Sequence, residues 1–230
     1  MGAGFAYLQF QQQQQASHDA LISNQVSKGF EQLGGDKVEQ RLGGIYALEG
    51  VLNNSDQYQR PVLEPLCVFV RDHAKADRSS EGLPSTDIQA ALTVIGRRVV
   101  LLNEIPVLGL LVSPVDLRGA HLPKADLSGA KLNNADLRGA DLRGASLKEV
   151  SLYDADLSEA DLSNTNLAFA HLRGANLTEA NLTGAMLSLV YLSGADLTGA
   201  RGLSQEQLNQ ACDTAVKLDP GLTIRACGGK

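Results

Sequence analysis

Between residues 115 and 200 the apolar positions recur every five residues, a period that matches neither the 3.6 of a helix nor the 2 of a flat strand. Leucine holds this register seventeen times in succession: Leu117, Leu122, Leu127, Leu132, Leu137, Leu142, Leu147, Leu152, Leu157, Leu162, Leu167, Leu172, Leu177, Leu182, Leu187, Leu192 and Leu197. The position two before each leucine is small, and with Ala200 the series holds fourteen alanines, Val115, Val150, Val190 and Thr165. The unit is Ala-Asp/Asn-Leu-x-x, as in Ala135-Asp136-Leu137-Arg138-Gly139. Such a chain has to turn once per unit. Leucine and the small residue then face inward, the other three positions face water, and Gly, Asn or Ser near each corner permits the bend.

Before residue 100 the pattern is helical. Val38, Leu42, Ile45, Leu48, Val51 and Leu52 share one helix face, Asp36 and Glu39 form a capping box ahead of them, and Asn53-Asn54 ends the run. Further helices are predicted over about 18–33, 59–74 and 86–98, with a loop from Asp77 to Pro84. The first sixteen residues, rich in Gln, read as a polar disordered segment. After Ala200 the register stops, and Ser204 with Gln207 predicts a short capping helix over about 204–211.

The repeat closely resembles that of the pentapeptide-repeat family. The resemblance implies a right-handed quadrilateral parallel β-helix with four pentapeptides per coil. Val112, Val107 and Leu102 hold the leucine register, and Leu110, Ile105 and Val100 the small one, so the rod is expected to reach back to residue 100. That makes about five coils, roughly 24 Å at ~4.8 Å per coil. The fold class is therefore α+β, with an N-terminal segment over 1–16, a helical domain over 17–99, the β-helix over 100–200, and a C-terminal cap and tail over 201–230. The run from Gln32 to Glu49 resembles a helical preface found in a subset of the family, and Gly43-Gly44 within it reads as close packing between helices. In some of those relatives membrane segments lie upstream. None is present in this chain, so one is expected only if Met1 is not the natural start.

Composition narrows the function classes. The net charge is −6 and there is no Trp. Acidic residues outnumber basic ones both before residue 115 and in the repeat, which argues against direct nucleic-acid binding. Cys67, Cys212 and Cys227 have no metal or redox spacing, as in a cytoplasmic protein with reduced thiols; a Cys212–Cys227 pair near the C-terminus is the alternative. No apolar stretch reaches the ~18 residues of a membrane span.

Residues twenty apart share a face if four units make a coil. One face then carries Asp116, Asp136, Asp156, Asn176 and Asp196 with Glu159 and Glu179, opposed within the repeat by Arg118 and Arg138. By resemblance this acidic ladder is a DNA mimic that binds or inhibits a type II topoisomerase (gyrase). A duplex of the rod's length carries roughly 14 phosphates, far more than this face, and the simpler reading is that Asp and Asn suit the turn and solubilise the rod. Another corner gathers Phe169, His171, Met186, Leu189 and Tyr191, with Tyr153 one coil earlier. This is a candidate patch for a protein partner or a homodimer, or a seat for the C-terminal segment. His121 and His171 are two and a half coils apart and point from opposite faces, so they share no metal. No phosphate loop, nucleophile elbow or paired Cys motif appears, and a convex rod offers no cleft for acid–base chemistry. The expectation is a scaffold without catalysis or cofactor that presents a rigid solenoid to a protein partner.

Overall fold

The computed structural model describes residues 2–76, 82–98, 115–211 and 215–225. The chain divides into two compact units, Met1–Val62 and Leu63–Lys230.

The first unit is a helical hairpin of α1 (Gly2–Leu33) and α2 (Val38–Asn54), followed by a 3-10 turn at Asp56–Tyr58 and the start of α3 (Gln59–Ala76). Its core is Ile22, Val26 and Leu33 against Ile45, Leu48, Val51 and Leu52. Gly44 lets the two helices touch: a Cβ there would lie 2.5 Å from the Gly29 carbonyl oxygen and 2.6 Å from the Leu33 nitrogen. Gly43 faces outward, with only the Gln32 side chain nearby. Two local expectations change. The segment read as disordered over 1–16 is the first half of α1, because no Gly or Pro interrupts residues 5–28 and Gln and Ala are good helix formers. Bonds from Gln11 to Tyr7 and from Gln15 to Asp19 brace it. The capping box at Asp36 does not form: the N-cap is Lys37, one residue later, so the Asp36 carboxylate is out of step with the first turn. Arg41 ties down the Gly35 and Asp36 carbonyls instead.

In the second unit the repeat is a right-handed quadrilateral parallel β-helix. Each unit contributes a single bridge residue, paired in parallel with the residue twenty later, from Asp116↔Asp136 to Asn181↔Arg201. Leu117 N–H donates to Asp136 O (2.8 Å) and Asp136 N–H to Val115 O (2.8 Å), and this pair of bonds repeats up the rod. Every corner is a tight turn in which the small residue donates back to the leucine carbonyl, as Ala120 does to Leu117 (3.1 Å). The residue before it has positive φ, as in a type II turn. The seventeen leucines are at most 2% exposed. Thr165, buried at an alanine position, donates its hydroxyl to the Leu142 carbonyl (2.9 Å).

Both ends of the described rod are covered. At the N-terminal end α4 (Thr86–Arg97) lies under two faces. The Gln89 amide brackets the main chain of Asp126, and Lys131 N–H donates to Gly96 O (2.9 Å). Arg98 donates to the Lys131 carbonyl (2.8 Å). Residues 100–114, expected to start the rod, lie outside the described residues. At the other end Ser204 caps α5 (Gln205–Gln210) through a reciprocal box with Gln207. The Gln207 amide donates to the Leu182 and Ala185 carbonyls, and Leu208 is fully buried. Lys217 adds one more rung, bonded to Ala195 and Leu197. Cys212 and Cys227 lie outside the described residues. Among the described residues, no helix is long and apolar enough to cross a membrane.

Candidate functional site: two surfaces of the rod

The acidic ladder is built into the turns. At ten of the seventeen units the Asp or Asn before the leucine accepts the N–H two residues on, as Asp126 does from Ser128 (3.0 Å) and Asn176 from Thr178 (3.1 Å). The carboxylates also find cations. Arg118 and Arg138 fork onto Asp116 and Asp136 and reach Asp136 and Asp156 on the next rung. Arg71 of α3 pairs with Asp116 at one end, and Lys217 with Asp196 at the other (2.9 Å). Sequence counting missed these last two, because neither belongs to the repeat.

Protonation follows these contacts. Hydrogen bonds from Arg118, with Arg71 beside them, hold Asp116 far below the usual carboxylate range. Bonds from Thr198 and Lys217 lower Asp196 to about 2. Burial pushes Asp136 upward, but Arg138 outweighs it and the net shift is down. The ladder is thus a run of ion pairs, with Glu159 and Glu179 beside it at corners of positive φ.

The fourth face departs from this rule. Lys131, Ser151, His171 and Tyr191 occupy the positions where Asp or Asn prevails elsewhere. Tyr153, His171 and Tyr191 form a ring stack: the Tyr153 hydroxyl meets His171 Nδ1 at 3.1 Å, and the His171 and Tyr191 rings are parallel within 3° at 4.7 Å. At the adjoining corner Phe169 and Leu189 stand one above the other, both with positive φ (60° and 56°), where the other corners hold Gly or a polar residue. A bulky side chain there is strained. Phe169 is 41% exposed, Met186 53%, Leu189 53% and Tyr191 49%. Gln210 of the C-terminal segment bonds at this corner: Leu189 N–H donates to Gln210 O, and the Ser188 hydroxyl to the Gln210 side chain.

His121 sits on another face, 2.7 Å from Asp141. Among the described residues no three His, Cys, Asp or Glu side chains are grouped to hold a metal. A cleft of about 420 Å³ lies between α3 and the first coil, lined by Cys67, Arg71, Asp116 and Arg118. Burial pushes the Cys67 thiol up to about 12, so it stays protonated, and both arginines are committed to Asp116.

A closed four-sided coil with inward leucines and alanines defines a quadrilateral β-helix protein. The family model for pentapeptide repeats matches eight copies, over residues 115–148 and 165–201, and the chain belongs to this family. It is similar to the pentapeptide repeat protein Rfr23 of the cyanobacterium Cyanothece 51142, at 36% identity over 47% of this chain and 67% of that one, with a TM-score of 0.39. A pentapeptide repeat protein of the Arabidopsis thaliana thylakoid lumen matches at 33% identity, over 46% of this chain and 66% of that one, with a TM-score of 0.31. HetL, a pentapeptide repeat protein involved in heterocyst differentiation regulation in Nostoc sp. strain PCC 7120, matches at 32% identity over 48% and 62%, with a TM-score of 0.23. The chain thus spans about two thirds of the length of these relatives. No curated protein matches it.

Proposed function

We propose that this protein is a non-catalytic scaffold whose β-helix binds a protein partner at the corner of Phe169, Met186, Leu189 and Tyr191. The observation that carries this reading is that two large apolar side chains hold positive φ at an exposed corner, where glycine or a polar residue would cost less. Strain of order 1 kcal/mol at each site, together with exposed apolar area, suits a contact surface rather than a structural need. The rigid ring stack beneath gives the surface a fixed shape, so little entropy is lost on binding.

The DNA-mimic reading has less support. Four of the face's six carboxylates, Asp116, Asp136, Asp156 and Asp196, pair with Arg71, Arg118, Arg138 and Lys217, whereas a phosphate edge presents unpaired charge throughout.

The test is affinity capture from native lysate with the full chain and with the Phe169→Asp/Leu189→Asp variant, read by mass spectrometry and by solution mass. The expected result is a stoichiometric partner, or a homodimer, that the variant loses. Identical captured proteins and identical mass for both chains would overturn the reading. A topoisomerase captured equally by both, with supercoiling inhibited in a salt-sensitive way, would favour the acidic ladder instead.

A further inference from the structure

Four units of the repeat place an arginine directly after the leucine, and three of them share one arrangement. Arg118, Arg138 and Arg143 fold back onto Asp116, Asp136 and Asp141, two residues earlier, with Nε and Nη2 on the two carboxylate oxygens at 2.7–3.0 Å. In the fourth unit the residue two before Arg173 is His171, whose ring lies between those of Tyr153 and Tyr191. Arg173 is exposed and has no carboxylate partner among the described residues. Two acidic residues of the neighbouring corners are turned elsewhere. Asp154, whose N–H donates to the Arg173 carbonyl (3.0 Å), has its carboxylate against Gly174, and Glu149 pairs with Lys148 (3.2 Å).

Phe169, His171 and Arg173 alternate outward along one side of the coil, with the buried Ala170 and Leu172 between them. In the coil above, Leu189 and Tyr191 stand over the first two. This side therefore runs from apolar through aromatic to cationic over at most about 13 Å. We infer that the partner lays an extended segment across it, with an apolar side chain on Phe169 and Leu189 and a carboxylate on Arg173. The inference rests on the corner being a protein contact. In an extended segment residues i, i+2 and i+4 point to one face at the same rise per residue, so the acid stands four positions from the apolar residue. The residue between them lies over the Tyr191 ring. The planar guanidinium can take the carboxylate through two N–H groups, as Arg143 does with Asp141. A lysine or arginine in the same place would meet an uncompensated cation, so the charge at this end selects an acidic segment.

The probe is a phage-displayed library of random peptides selected on the immobilised full chain, with the recovered sequences made as fluorescent peptides and measured by polarisation. The selected peptides should carry Asp or Glu four residues from a large apolar side chain. Phe169→Asp/Leu189→Asp should remove their binding, and Arg173→Gln should weaken it about three- to tenfold. Binding lost in Arg173→Glu should return when Lys replaces the peptide's acid. Salt should weaken binding to the parent chain more than to Arg173→Gln, and circular dichroism checks that each variant is folded. Peptides that need Phe169 and Leu189 yet bind the Arg173 variants equally well would overturn this inference and leave the contact corner standing. A selection in which no peptide depends on Phe169 and Leu189 would overturn it too, while the corner itself stands or falls on capture from lysate.

Discussion

The side-chain amide of Gln89 stands in for a strand beneath Asp126: its Oε1 accepts the Asp126 N–H at 3.0 Å and its Nε2 donates to the Asp126 carbonyl at 2.7 Å. A β-helix coil with nothing below it leaves such groups unpaired, and here a helix supplies both partners through one residue. Gln89→Leu therefore strands two main-chain groups and lowers stability by about 1–3 kcal/mol. Urea unfolding followed by circular dichroism measures this directly, and a midpoint unchanged from the parent would show that water replaces the amide at no cost.

The glycine pair of α2 separates by packing. Gly44→Ala places a methyl group against the α1 backbone and destabilises the hairpin by about 1–3 kcal/mol. Gly43→Ala has room beside Gln32 and gains helix propensity, raising stability by up to about 1 kcal/mol. Thermal unfolding of the two variants should shift in opposite directions.

The ladder makes stability depend on acid. Asp116 and Asp196 have folded-state pKa values below their unfolded ones, so their contribution is complete above the unfolded value of about 4 and is lost as pH falls through the folded value. For Asp196 that window runs from about 4 down to about 2; for Asp116 it continues lower. Denaturant midpoints measured between neutral and strongly acidic pH should fall in this range, and Asp196→Asn should flatten the upper part of the slope.

At the apolar corner, binding and stability oppose each other. Leu189→Asn puts a residue that tolerates positive φ at the strained position, so the rod should be as stable as before or up to about 1 kcal/mol more stable, while partner capture falls. Paired unfolding and capture measurements check this, and a variant that keeps its partner would remove Leu189 from the contact surface.

The rod was legible because its cause is local and repeated. A leucine every fifth residue with a small residue two before it can be buried only if the chain turns at each unit, and the inward positions, the corners and the Ser204 cap all lie within a few residues of their causes. The end of α1 was misread because composition suggested a linker, while helix continuity depends on uninterrupted backbone bonds that Gln does not oppose. The Asp36 box failed by a single residue of register, which pattern alone does not resolve.

By itself, then, the sequence determined a turn at every fifth residue and the inward core, since steric periodicity acts through near neighbours, while the four faces followed from the resemblance to the family. Only the tertiary structure decided what those faces are worth. It brought Arg71 and Lys217 from outside the repeat to pair with Asp116 and Asp196, set Gln89 under Asp126 across thirty-seven residues of sequence, and left Phe169 and Leu189 partly exposed. Those are contacts between residues far apart in the chain with no period to announce them, and their energies depend on distance and burial, which exist only once the chain has folded.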